Sequence, residues 1–489
     1  MIGRSKKLIQ NKFVQVSIDC GENYKQLKIK RKMKITKSKA FRQEYCGTVV
    51  KIGEILPIEG RDRIVKTMVN GLSIVIGKDE FQTGDVAVYC ANETQLHELF
   101  LHLNSMYDDK ELNIDKEKKG YINKHGRVRI VKLGGVPSYG ILLNPASIAT
   151  FLNEPVDDII AYLEKNVGED FDEINGEIFC KVYVPPVKEN RHVSKGEKRA
   201  KKLARFKMLI EGSFRLHYDT GQLARNIHEF SPEDKVFISN KLHGTSAIFA
   251  NILTNVPTNW FKRMWRKLTG KNEYDQKYNL VYSSRTVIKN EFINPKQKAG
   301  GYYSDDVWGY WAEKLNGLIP QDFCIYCEIV GYTPNGTAIQ KGYDYGCQPT
   351  DDVKSKLMVY RITVNDQEME ISDVIAFGQY LKEHLGDIII DFPLMYHGTL
   401  AELYPEISTT EHWHENVLEA LKVEKKFLME QMEPMCINKV PREGFVIRKA
   451  NDPIKRAFKL KTTKFFEREA KQIDAGEVDI EMADIYTEN

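Results

Sequence analysis

The chain has 489 residues, 42% of them hydrophobic and 28% charged, enough to bury a core and too many for one compact domain, so two or three domains are expected. No apolar run reaches the eighteen or so residues of a membrane helix, and the basic start "MIGRSKKLIQNKFVQVSIDCG" lacks a signal peptide's apolar centre, which points to a cytoplasmic protein (the host's cytoplasm if viral) with no membrane partner. The formal net charge is only +3, so any contact with a polyanion must come from local clusters.

Residues 1–32 read as a basic extension. From about Met33 the chain reads as short strands. Pro57, Gly60, the Asn70-Gly71 pair and Gly84-Asp85 punctuate β-branched runs, which predicts hairpins and a small OB-like β-barrel over 33–184. A charged insertion near 104–126 interrupts it, "GRVRIVKLGGVPSYGILLNP" adds strand, and 146–180 is more helical. Pro185-Pro186 then mark a boundary. The following run, Lys188 to Lys207, holds nine Lys or Arg against two Glu. It is a basic linker, 185–207, that is either a solvated face or a polyanion contact through Lys198, Arg199, Lys201 and Lys202.

Residues 208–489 change to a larger α/β mixture, so the fold class is α+β and multidomain. "KVFISN", "SAIFANIL", "LVYSSRT", "FCIYCEIVGY", "KLMVYRITV", "GFVIRKA" and "AFKLKT" alternate like strands, while "DDVWGYWAEKL" and "ENVLEALKVEKKFLMEQM" have helical spacing. The eight cysteines are scattered, as suits a reducing compartment. Cys324 and Cys327 form a C-x-x-C, but three positions apart on a strand they point to opposite faces and read as buried thiols rather than a zinc site.

Between the first two strand-like runs lies "KLHGTS", with Lys241, His243, Gly244 and Ser246. Downstream come "SSRTVIKN" with Arg285, "YCEIVG" with Glu328, "MVYRI" with Tyr360, "EGFVIR" with Glu443, and "FKLKT" with Lys459 and Lys461. This order of Lys, Arg, Glu, aromatic, Glu and Lys-x-Lys resembles the covalent nucleotidyltransferase superfamily of ATP-dependent ligases and capping enzymes. K-x-H-G, in place of K-x-D-G, is similar to RNA ligases. A β module ahead of the catalytic domain resembles the ATP-dependent RNA ligase family with an N-terminal OB module, typified by the Deinococcus nick-sealing enzyme. The resemblance runs from about Met33 to Thr463.

The resemblance implies an adenylyltransferase domain with antiparallel sheets over 208–489, ATP and Mg²⁺ (Mn²⁺ as a substitute) as cofactors, RNA with 3′-OH and 5′-phosphate ends as partner, and a monomer active in RNA repair. Lys241 would be the nucleophile, and His243 and Gly244 would shape its loop. Arg285 would meet the ribose or an RNA phosphate, Glu328 the ribose and a metal, Glu443 a metal-bound water, and Tyr360 the adenine. Lys459 and Lys461 would hold the α-phosphate and help to neutralise the nucleophile, whose free pKa is near ~10.4. Ser246 stands where some relatives carry the Asn that reads the 5′-phosphate.

The step from Lys241 to Arg285 holds an extra segment, 255–277, in which Trp260, Phe261 and Trp265 interleave with Lys262, Arg263, Arg266 and Lys267. It reads as a surface for unpaired RNA through Lys262 and Arg263, or as an amphipathic cap with its aromatics packed inward. The whole catalytic series lies after Lys207, so the first module is expected to grip RNA without entering the reaction site. The alternatives are a DNA-ligase or capping-type nucleotidyltransferase, and a non-catalytic RNA-binding protein on the same scaffold.

Overall fold

The computed structural model describes residues 32–184 and 209–475, apart from 211, 217, 219, 257, 286, 291–304, 424–430 and 453–454. The N-terminal extension up to residue 31 and the basic linker, with Lys198, Arg199, Lys201 and Lys202, lie outside the described residues.

The first module contains strands β1 (Gly47–Lys51), β2 (Ile55–Ile58), β3 (Arg61–Val69), β4 (Leu72–Gly77), β5 (Val86–Ala91), β6 (Gly140–Leu143) and β7 (Asp170–Phe171). Asn70 and Gly71 close β3 onto β4 with φ of 49° and 67°, the left-handed pair that a two-residue hairpin needs. The strands form one sheet in the order β2–β3–β4 and another in the order β6–β5–β1–β7. Val75 N donates to Ser138 Oγ and Tyr139 N to Ser73 O, which joins the two sheets into the expected OB barrel. Ile52, Ile74, Ile76, Tyr89 and Leu142 fill its interior. Helices α1 (Pro145–Leu152) and α2 (Val156–Lys165) cover a second core around Phe100, Phe171 and Phe179.

The charged stretch near 104–126 packs into that core. Tyr107 and Ile122 are buried, and the fully buried Asn113 accepts from Tyr107 N and donates to the carbonyls of Tyr107 and Lys118. Charge dominates its composition, but one amide satisfies the backbone that the loop would otherwise bury unpaired.

The second module runs through β8 (Thr220–Gln222), β9 (Lys235–Lys241), β10 (Thr245–Val256), α3 (Trp260–Leu268), β11 (Asp275–Ser283), α4 (Val307–Leu315), β12 (Phe323–Gly331), β13 (Ser355–Val364), β14 (Gln367–Glu368), α5 (Ile371–Leu385), β15 (Leu394–Thr399), α6 (Trp413–Val423), β16 (Gly444–Lys449), β17 (Ala457–Lys461) and α7 (Thr463–Asp474). Two five-stranded sheets result, β11–β10–β12–β13–β14 and β8–β17–β16–β9–β15. Every pairing in them is antiparallel except that of β8 with β17.

Alternation along the strands sorts each sheet into an outer and an inner face. On β12, Ile325, Cys327 and Ile329 join Trp308 and Trp311 of α4 in the outer core, whereas Cys324 and Tyr326 belong to the inner cluster. Cys324 and Cys327 are thus buried free thiols on opposite faces. On the other sheet Val236, Ile238, Phe445, Ile447, Phe458 and Leu460 pack outward against Val417, Leu418 and Leu421 of α6. The inner faces of the two sheets enclose a cleft.

The modules touch along α7 and at the end of α6. The Tyr139 hydroxyl bonds Thr463, Phe466 and Ala470 pack into the barrel's core, and the Lys422 ammonium donates to the Gly71 carbonyl. Arg127, 1% exposed, is held by Glu93 and by Asp474 at 2.7 and 2.8 Å. Because α7 begins two residues after β17, these contacts seat the barrel at the mouth of the cleft.

Candidate active site

Lys241 ends β9, and three residues turn the chain into β10. Leu242, 1% exposed, anchors the turn. His243 donates its backbone N–H to the Tyr345 hydroxyl at 2.6 Å, and its ring meets Tyr343 and Phe465 edge-on. Gly244 packs so closely on β12 that a Cβ there would overlap the Ile329 carbonyl, and its N–H donates to Glu328 Oε1 at 2.8 Å. Behind the nucleophile candidate, Asn240 Nδ2 reaches both oxygens of the buried Glu433 at 3.0 and 3.1 Å. The lysine therefore projects from a pinned loop.

Its ammonium lies 2.9 Å from Glu443 Oε1, and Lys461 Nζ lies 3.7 Å from the same oxygen. Glu443 is 3% exposed. Burial pushes its pKa up, but Lys241, His243 and Lys461 together outweigh burial and hold the carboxyl far below the usual carboxylate range. His243 Nδ1 approaches Oε2 only to 3.5 Å, so that oxygen is buried without a close donor. The next residue, Gly444, has φ of 153°, and a Cβ there would overlap the Leu460 carbonyl of β17; glycine is needed to bring Glu443 beside the Lys-x-Lys strand.

The cleft encloses about 820 Å³ of space, much of it open to solvent. Lys241, Ser246, Arg285, Glu328, Tyr360 and Lys459 all line it. Ser246 Oγ is buried with no hydrogen-bond partner among the described residues, a polar atom that a ligand would satisfy. His243, Glu443 and Lys461 cluster at the Lys241 end. Lys262 and Arg263 are not part of this assembly. They sit on α3, beyond the other end of the twelve-residue β10, and pair with Asp275 and Glu273 at 3.0 and 3.2 Å.

Tyr360 reaches the cleft because of a bulge. β13 pairs Tyr326 with Arg361 and Cys327 with Val359, which leaves Tyr360 as the extra residue. Strict alternation would put Tyr360 and Arg361 on opposite faces, yet both line the cleft. Arg361, missed in the sequence, pairs with Glu368 at 3.0 Å and lies over the Tyr218 ring. Arg448, also missed, donates to the Tyr360 carbonyl at 3.0 Å. Burial and the nearby Arg361 pull its pKa down to about 10. The signal for Arg448 was present: on β16 it lies at even spacing from Gly444 and Val446, opposite the core-facing Phe445 and Ile447.

One expectation is overturned. The first module does enter the site, through Glu44, which lies in the 3₁₀ turn Gln43–Tyr45 just ahead of the barrel. Glu44 Oε1 pairs with Lys459 Nζ at 2.8 Å. Desolvation would raise its pKa, but Lys459, Arg285 and Lys461 outweigh it and hold the carboxyl below its ordinary value. Lys459 thus faces Glu44, while Lys461 faces Glu443 and, at 3.2 Å, Glu469 of α7. Nothing in the spacing of "FRQEYCG" marks Glu44, because the contact spans two modules.

Comparison with known proteins agrees with this architecture. Residues 234–462 match the RNA ligase family model and residues 46–145 match an OB-fold domain model. Among solved structures, a variant of Naegleria gruberi RNA ligase with AMP and Mn is similar at a TM-score of 0.52 and 18% identity, covering 87% of this chain and 99% of that one. A second variant of that ligase, with ATP and Mn, gives 0.51 and 18% over 86% and 98%. The same ligase with pyrophosphate gives 0.51 and 17% over 88% and 100%. At these identities the likeness is one of fold. No curated protein matches the chain significantly.

Proposed function

Because residues 234–462 match the RNA ligase family model and an OB-fold module precedes them, we propose that the chain is an ATP-dependent ligase that joins RNA 3′-OH and 5′-phosphate ends, as RNA repair requires. One observation carries the reading: a pinned lysine whose amine lies 2.9 Å from a buried glutamate, at the end of a cleft that Arg285, Glu328, Tyr360 and Lys459 also line.

A 5′-phosphate has no good leaving group, so it must be activated before a hydroxyl can attack it. Lys241 Nζ would attack the α-phosphorus of ATP, forming a P–N bond as pyrophosphate leaves. The AMP would pass to the RNA 5′-phosphate, and the 3′-OH would then displace AMP and close the strand. The lysine must lose its proton first, and in this structure Glu443 favours the charged form. Lys461, close to the same carboxylate, competes for it. Divalent metal fits Glu443, whose Oε2 lacks a close donor. Mg²⁺, or Mn²⁺ in its place, would be held there through water, and when bound it supplies charge that lowers the lysine pKa and offsets the phosphates. Glu328 has one oxygen committed to Gly244 N, which favours a ribose contact over a metal. Tyr360 would lie against adenine, Arg285 would meet ribose or an RNA phosphate, and Lys459 with Lys461 would neutralise the reacting phosphate. Ser246, with its unpaired hydroxyl, would take a polar atom of the bound substrate.

The test is incubation with α-labelled ATP and Mg²⁺, followed by denaturation. A covalent label that Lys241→Ala abolishes, and that nicked RNA chases into sealed product, is expected. Labelling by GTP in preference to ATP would indicate a capping-type enzyme, sealing of DNA nicks alone a DNA ligase, and no label from either nucleotide a non-catalytic protein.

A further inference from the structure

The helix α3 is mounted with its faces reversed. Trp260, Phe261, Met264, Trp265 and Leu268 recur at helical spacing and form one apolar face. In a surface helix that face turns toward the core. Here Trp260, Phe261, Trp265 and Leu268 are 60–78% exposed, and no residue of the helix is buried. The basic face is held by ion pairs, with Arg266 tucked in and Lys262 and Lys267 still exposed. Lys262 and Arg266 pair with Asp275, Arg263 and Lys267 with Glu273, and Arg263 also lies over the Tyr274 ring. The acidic residues of the returning chain hold the helix by its charges and present its apolar side outward.

What such a face would meet follows from charge and position. Segment 255–277 holds six Lys or Arg against two acidic residues, a net +4, so the apolar face has a cationic rim. Two copies packed face to face would set these rims against each other. Single-stranded RNA is held by bases stacked on rings, whereas Met264 and Leu268 offer no ring; the exposed Lys267 and Lys271 form the rim, and Lys262, Arg263 and Arg266 are drawn into ion pairs at 2.7–3.2 Å. The helix also lies at the far end of β10, about 36 Å of strand from the nucleophile loop. A protruding face of two tryptophans, a phenylalanine, a methionine and a leucine above a basic rim has the composition of an in-plane interfacial helix.

We propose that α3 seats the protein on an anionic phospholipid surface, its apolar side chains entering the headgroup boundary and its basic rim facing the phosphates. The absence of a spanning segment, on which the expectation of no membrane partner rested, does not bear on a helix that lies in the surface.

The test uses the full chain with phosphatidylcholine vesicles, with and without phosphatidylserine. The wild type is expected to float with the mixed vesicles, with a blue shift of tryptophan emission, and to detach as salt is raised. The double variant Trp260→Ser/Trp265→Ser should lose about tenfold or more of this partition while keeping its thermal unfolding midpoint. Leu268→Glu, at the most exposed position of the face, is the second variant should the first be unstable. Absence of flotation overturns the proposal, as does flotation that neither variant weakens. Loss in these variants of single-stranded RNA binding or of a self-associated species, with vesicle binding intact, overturns it in favour of those partners.

Discussion

Strand β10 joins two regions that depart from the apolar-in, polar-out rule in opposite senses. At its start the chain buries charge: Glu443 is 3% exposed, Arg361 4% and Arg448 7%. At its end the chain exposes apolar surface and ties the charges of α3 to Asp275 and Glu273. Stability alone favours neither. Buried charges cost desolvation that pairing offsets only in part, and an exposed tryptophan forgoes roughly 2 kcal/mol of burial. The cleft converges its charges from strands far apart in sequence on one space, whereas α3 spreads its apolar residues over a convex face. Convergence suits one small ligand; divergence suits an extended surface.

The sharpest way to break this comparison is at Lys241. Lys241→Ala should lose all covalent AMP while the fold persists, because in the proposed reaction its amine is the nucleophile. Lys241→Arg should not rescue it, since guanidinium stays protonated. Labelling of either variant, read after denaturing electrophoresis, would remove the nucleophile from this end of β10.

Glu443→Ala and Lys461→Ala come next. In the proposed reaction Glu443 would hold the metal and Lys461 the reacting phosphate, so either change should cost about 10²–10³ in adenylylation rate. Glu443 also carries a signature in pH. Its folded pKa is depressed, so its stabilising contribution is complete above the ordinary carboxylate value of 4.5 and is lost as pH falls through the depressed one. The unfolding free energies of wild type and Glu443→Gln should therefore differ by about 2 kcal/mol from neutral pH down to 4.5, and converge only in stronger acid. A gap that closes well above 4.5 would mean the carboxylate is not held by these cations.

Glu44 tests whether the cleft belongs to one module or two. Glu44→Gln keeps the shape and removes the charge opposite Lys459. A charge-assisted pair at about 1.5–3 kcal/mol corresponds to roughly a tenfold or larger change in adenylylation. An unchanged rate would return the catalytic set to the second module alone.

What could be read from the chain divides along the same line. Lys241, Glu443 and Lys461 were legible through company: each sits at or beside the end of a strand-like run, where a lone charge is usually just solvated, but with Arg285, Glu328 and Tyr360 they fall in the order of a known motif series. The barrel was legible from its turns, Asn70-Gly71 above all. Arg361 was not, because the bulge at Tyr360 resets the alternation and no residue type announces a bulge. Glu44 was hidden because its partner lies over four hundred positions away in another module. α5 and β15 escaped because Gly378 interrupts one and Gly398 the other, and only packing against the sheets holds them. The composition of α3 was plain, but its outward mounting depends on Asp275 and Glu273, which look like ordinary loop acids.

The smallest expected effect tests whether the two ends of β10 are independent. Trp260→Ser/Trp265→Ser removes apolar surface that touches nothing in the cleft, so adenylylation should stay within about twofold of wild type, the scatter expected for a remote surface change. Combining it with Glu443→Ala should give a rate equal to the product of the separate effects, because sites beyond about 10 Å with no shared partner couple by less than about 0.5 kcal/mol. β10 is a central strand with β11 on one side and β12 on the other, so a disturbance at Val256 would have to cross two full ladders to move Thr245. A coupling above that bound, measured on the soluble protein without vesicles, would mean that the strand transmits strain from the exposed helix to the nucleophile loop, and the two regions would then act as one device.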